Sequence, residues 1–131
     1  KRNKKGYLFT FGDEEAPYET LSERELRSVF GEGQFVSTTP AEALARAKER
    51  YQVFHVVIEQ GSYFGSRPQR VKETWTEMLG NNVIFLKDAK DLSEVVLATL
   101  RVAEGEDLDT VIAGSKNPKA LRHAFANALK D

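Results

Sequence analysis

Apolar residues fall into three short, nearly continuous runs, separated by stretches where they recur every three or four positions. The runs are Gly6 to Phe11 (GYLFTF), Tyr51 to Ile58 (YQVFHVVI) and Val83 to Leu86 (VIFL). Continuous rather than alternating runs suit strands covered on both faces, as in a parallel sheet. The intervening stretches predict helices with marked starts. Ser22 with Glu25 has capping-box spacing ahead of Leu26, Val29 and Phe30. Thr39-Pro40-Ala41-Glu42 gives a cap, a first-turn proline and an acid at the third position, opening a helix with Ala43, Leu44 and Ala47 on one face. Ser66 is placed to cap a helix carrying Val71, Trp75, Met78 and Leu79, which Gly80 ends. Asp88 precedes a helix from about Asp91 to Val102, with Leu92, Val95, Val96 and Leu100 inward and Gly105 as its stop. Asn117-Pro118 opens a last helix with Leu121, Phe125 and Leu129 on one stripe. Gln34 to Ser37 reads as a brief extended piece.

Strands alternating with helices predict an α/β fold: an open, mainly parallel, Rossmann-like sheet with helices on both faces. Residues 1–105 form the core of this reading. Residues 106–131 read as a linker with one helical turn, followed by a C-terminal helix. The first run is the richest in aromatic residues and is read as a central strand, yet nothing precedes it that could pair with it. The expectation is that its outer edge is covered by N-terminal strands absent from this sequence or by another chain.

Charge and composition narrow the function. The 131 residues hold 19 lysines and arginines against 20 aspartates and glutamates. This balance argues against a nucleic-acid or membrane-surface binder, which needs a basic excess. No cysteine is present, so there is neither a disulfide framework nor a thiolate metal site, which fits a cytoplasmic setting. No run has the ~20 apolar residues of a membrane span.

Candidate chemistry gathers where strands end, the usual ligand position in open α/β sheets. Asp13, Glu14 and Glu15 come directly after the first run, and a hard cation such as Mg²⁺ takes oxygen ligands from carboxylates and water. Asp13 is the candidate metal ligand. Gly61 to Ser66 comes after the second run, with Tyr63 and Phe64 as candidate anchors for a partner beside Glu14. A fold-back of those aromatics onto the core is the competing reading. His55 reads as a packed strand residue, His123 as solvent-facing, Trp75 as a core anchor, and Arg67, Arg70 and Lys72 as a solvated basic face.

The segment Lys5-Gly6-Tyr7-Leu8-Phe9-Thr10-Phe11-Gly12-Asp13-Glu14 resembles the fourth strand of a von Willebrand factor A (vWA) domain. The strand Val53 to Ile58, the helix around Trp75 and Leu79, and Asn82-Val83-Ile84-Phe85-Leu86 with Asp91-Leu92 resemble that fold's fifth strand through to its last helix. The resemblance covers roughly residues 5–105. Bacterial and phage-borne intracellular members show a similar run. The resemblance implies a protein-interaction module with a metal-ion-dependent adhesion site, in which Asp13 matches one aspartate. It further implies an AAA+ ATPase as partner. Gly12 and Glu14 depart from the family's usual threonine and glycine, and the Asp-x-Ser-x-Ser loop is absent. The metal shell therefore needs a segment outside this chain. The alternative is an α/β enzyme or receiver domain of the phosphotransfer or phosphatase type using Asp13. For the phosphatase, Glu15 stands where a second aspartate is expected. For the receiver, Lys87 is a weak match to the lysine after the last strand.

Overall fold

The computed structural model describes residues 4–129. Three strands, β1 (Gly6–Gly12), β2 (Tyr51–Ile58) and β3 (Val83–Leu86), form a parallel sheet in the order β1-β2-β3. The register pairs Gly6 with Tyr51 and Thr10 with His55 on one side, and His55 with Val83 and Ile58 with Leu86 on the other. The connections carry seven helices among the described residues: α1 (Glu23–Phe30), α2 (Pro40–Arg50), α3 (Ser62–Ser66), α4 (Pro68–Leu79), α5 (Leu92–Ala103), α6 (Leu108–Ala113) and α7 (Pro118–Ala124). This is the expected α/β architecture with a parallel, Rossmann-like open sheet.

Side-chain alternation along β2 divides the core into two layers. Phe54 and Val56 face Val95 and Ala98 of α5, Val111 and Ile112 of α6, and Leu121 and Ala124 of α7. Val53 and Val57 face Val71 and Leu79 of α4, Phe64 of α3, and half-buried Leu44 of α2. Every residue from Val53 to Val57 is buried, because helices cover both faces. Of the three described strands β2 is the middle one, and β1, expected to be central, has a strand on one side only. On its own β1 keeps Leu8 at 36% and Phe11 at 48% exposure. Among the described residues, β1 pairs only with β2, so its outer edge pairs with no strand.

Most helix starts obey the chemistry of their caps. Ser22 and Glu25 form the reciprocal capping box, Thr39 accepts from the Glu42 N–H, and Asn117 accepts from the Ala120 N–H. Asp88 caps a short 3₁₀ turn, Ala89–Asp91, which leads into α5. Ser66 does not cap α4. It ends α3 and donates to the Tyr63 carbonyl, and Arg67 occupies the position before the Pro68 that opens α4. Proline at the first turn needs no donor of its own, so α4 starts without a side-chain cap. Gly80 closes it with φ 58°, the left-handed region that glycine enters at least cost.

Two segments differ from the expectation. The stretch expected to be a linker contains α6, whose Val111 and Ile112 lie in the same core layer as α7, so the chain beyond residue 105 packs as core. The last helix ends at Ala124. Phe125 is buried just beyond it, and half-buried Leu129 has φ 58°. The other segment is 17–38. It is tied by one antiparallel bridge between Leu21 and Thr38, and α1 buries no residue. Val29 is 76% and Phe30 69% exposed. Residues 34–37 form no strand.

Candidate functional site

The carboxyl end of β1 runs into an acidic turn that neighbouring elements hold in place. Asp13 is half-buried, and its Oδ2 accepts the Tyr63 N–H at 2.9 Å. A Cβ on Gly61 would overlap the Asp13 side chain, so this approach of two strand ends requires glycine. The Trp75 Nε1–H donates to the Glu14 carbonyl at 2.8 Å, and the Ala16 N–H donates to Thr74 Oγ1 at 2.9 Å. Glu15 accepts from the Tyr63 hydroxyl at 2.8 Å and pairs with Arg70 at 3.3 Å. The Tyr63 bond, helped by Arg70, holds the Glu15 carboxyl below its usual range, and the same bond holds the Tyr63 hydroxyl above its own.

Behind this turn lies a cleft of about 840 Å³ between the chain after β1, the start of α2, and α4. That volume is within the range of small-molecule and side-chain pockets. Trp75 and His55 stack on one another with ring centres 3.5 Å apart and planes within 10°. His55 is 3% exposed, its Nδ1 lies 2.7 Å from Thr10 Oγ1, and its buried Nε2 has no hydrogen-bond partner among the described residues. Burial disfavours the charged ring and pushes its pKa down to about 4. The neutral ring has one N–H. Placing it on Nδ1, donating to Thr10, leaves a lone pair unpartnered at Nε2, whereas the other tautomer would strand an N–H, the rarer defect.

No protein-family model, curated protein or solved structure matches this chain.

The structure thus brings Asp13, Glu14 and Tyr63 together at one end of the sheet. Phe64 is separated from them. It is 7% exposed and packs with Val57 and Val71, which corrects its placement as an exposed anchor. The reason is local: α3 turns Phe64 inward, and the Lys72 ammonium covers its ring at 5.8 Å. Among the described residues no group of three or more acidic, histidine or cysteine side chains is arranged to hold a metal. Asp13 offers a single carboxylate, one oxygen of which is already engaged. His123, expected to face solvent, is half-buried and lies 2.5 Å from Glu59 Oε1, tying α7 to the end of β2. Tyr18 and Glu19 also belong to this site, and no local pattern marks them. Their placement depends on the irregular path after Pro17, which carries no periodic signal. No helix of the described chain is long and apolar enough to cross a membrane.

Proposed function

We propose that this chain is a protein-interaction module of the vWA type, acting in the cytoplasm. The observation that supports this most is an unpaired strand edge together with apolar helix surface left without cover. Among the described residues the outer edge of β1 has no strand beside it, and the amphipathic helix α1 buries no residue. An open edge is a template for another strand, and exposed apolar residues in a group mark interaction surfaces. In this reading a further segment adds to the β1 edge and brings the remaining ligands of a divalent cation, Mg²⁺ by preference for oxygen. Asp13 is the chain's own contribution through its second carboxylate oxygen, and the partner class implied by the vWA resemblance is an AAA+ ATPase.

Asp13→Ala tests this assignment. In the isolated chain it removes the acceptor of the Tyr63 N–H and costs about 1 kcal/mol, equally with and without magnesium. In the native assembly it weakens magnesium-dependent partner binding, read by quantitative co-purification. Tight, stoichiometric magnesium binding by the isolated chain, lost in Asp13→Ala and measured by calorimetry, would overturn the proposal in favour of a phosphotransfer-type site.

A further inference from the structure

The cleft behind the acidic turn has a composition that points to a class of ligand. Four acidic residues line it, Asp13, Glu14, Glu15 and Glu19, and among the described residues no lysine or arginine does. Glu15 is balanced by Arg70, and Asp13 accepts one backbone N–H. The side chains of Glu14 and Glu19 form no ion pair with any described residue. The walls are aromatic, from Phe11, Tyr18, Tyr63 and Trp75. The floor holds His55, buried and neutral, with an unpartnered Nε2. A buried acceptor without a donor, beneath aromatic faces and uncompensated carboxylates, is a site short of hydrogen-bond donors and of positive charge.

From this we infer that the cleft binds a cationic side chain, arginine in preference to lysine, presented by the protein partner. The inference rests on the interaction-module reading and adds the chemistry of the partner. A guanidinium suits the aromatic and acidic lining of the cleft. Its plane lies against aromatic faces, its five N–H groups serve several acceptors, and its apolar stem packs along Tyr18 and Phe11. A lysine ammonium offers the charge without the planar fork. A carboxylate ligand would face the like charges of Glu14 and Glu19 with no lysine or arginine among the described residues lining the cleft.

The single tryptophan of the chain makes the test direct, because the Trp75 indole N–H gives one side-chain cross-peak in a ¹⁵N–¹H spectrum and lies at this cleft. The probe is N-acetyl-arginine methylamide, titrated into the intact chain. Its lysine counterpart, its uncharged citrulline counterpart and magnesium chloride form separate arms. The expected result is a saturable shift with arginine, weaker binding of lysine and no saturable shift with citrulline. Glu14→Gln and Glu19→Gln should each weaken the arginine probe about threefold, and together about tenfold. Both positions are exposed, so an unchanged circular-dichroism spectrum is expected and shows that the fold is kept. Equal binding of citrulline, no saturable arginine shift, or wild-type affinity in the double variant would overturn the inference. Displacement of the probe by equimolar magnesium would also overturn it, by assigning the carboxylates to metal. The probe leaves the β1 edge untouched, so this failure is distinct from failure of the interaction-module reading, which is seen at β1 amides.

Discussion

Phe125→Ala is expected to destabilise the chain by about 3 to 5 kcal/mol, more than any substitution on α1. Phe125 is 1% exposed and sits in the layer formed by Phe54, Ile84, Val95 and Leu121. Its N–H donates to the Leu121 carbonyl at 2.9 Å, so the ring and the last turn of α7 are fixed together. Truncation removes the ring's transfer energy and leaves a cavity that neighbours on three helices and the sheet cannot close. Phe30→Ala is the matched control. Phe30 touches Phe35 at the surface but is 69% exposed, and a change of less than about 0.5 kcal/mol is expected. Urea unfolding of both variants measures the contrast. Equal costs would mean that the chain beyond residue 105 is an appendage and not part of the core.

The second large effect is a loss of stability in mild acid that belongs to one residue. His55 has its folded pKa lowered from the ordinary 6.5 to about 4 by burial. Above pH 6.5 the ring is neutral in both states and costs nothing. Below it the unfolded chain takes up a proton that the folded chain refuses, so stability falls as pH drops from about 6.5 to about 4 and levels off beneath that. The shift corresponds to about 3 kcal/mol across the window. Carboxylates held below their usual range, such as Glu15 and Glu25, lose their contribution only near and below pH 4.5. His55→Phe preserves a ring against Trp75 and cannot titrate. The difference between the wild-type and His55→Phe stability profiles should therefore fall between pH 6.5 and 4. A constant difference would show that His55 takes up its proton equally in the folded and unfolded chains, and so is not shifted by burial.

Phe125 and His55 also mark the boundary between what local sequence rules reveal and what packing decides. The strands at Tyr51 to Ile58 and Val83 to Leu86, the capping chemistry of Ser22, Thr39 and Asn117, and the burial of Leu121 on the last helix all obey local rules, and the structure has them. Those rules act over a few residues. Whether β1 or β2 lies at the centre depends on which strands the helices cover, and the aromatic content of β1 hides its half-exposed state. Val111 and Ile112 are legible as apolar but not as core, since their helix has only six residues and no periodicity to display. Phe64 departs from its expected exposure because a five-residue helix turns its ring inward, and nothing in Gly61-Ser62-Tyr63-Phe64 announces that turn. At the candidate site, position after a strand is enough to single out Asp13 and Glu14. The cleft itself joins Tyr18 and Glu19 with His55 and Trp75 across the fold, and such a meeting is set by packing.

Amide hydrogen exchange tests most directly whether the outer edge of β1 is a binding edge. In a parallel pair, alternate amides of β1 point away from β2. In the isolated chain these should exchange fast, while the amides of β2, paired on both sides, stay protected. In the assembly purified from its native cells through a tag on this chain, the outward amides between Gly6 and Gly12 are predicted to become strongly protected, and those of β2 to change little. Outward β1 amides that exchange equally fast in the isolated chain and in the assembly would contradict a binding role for this edge.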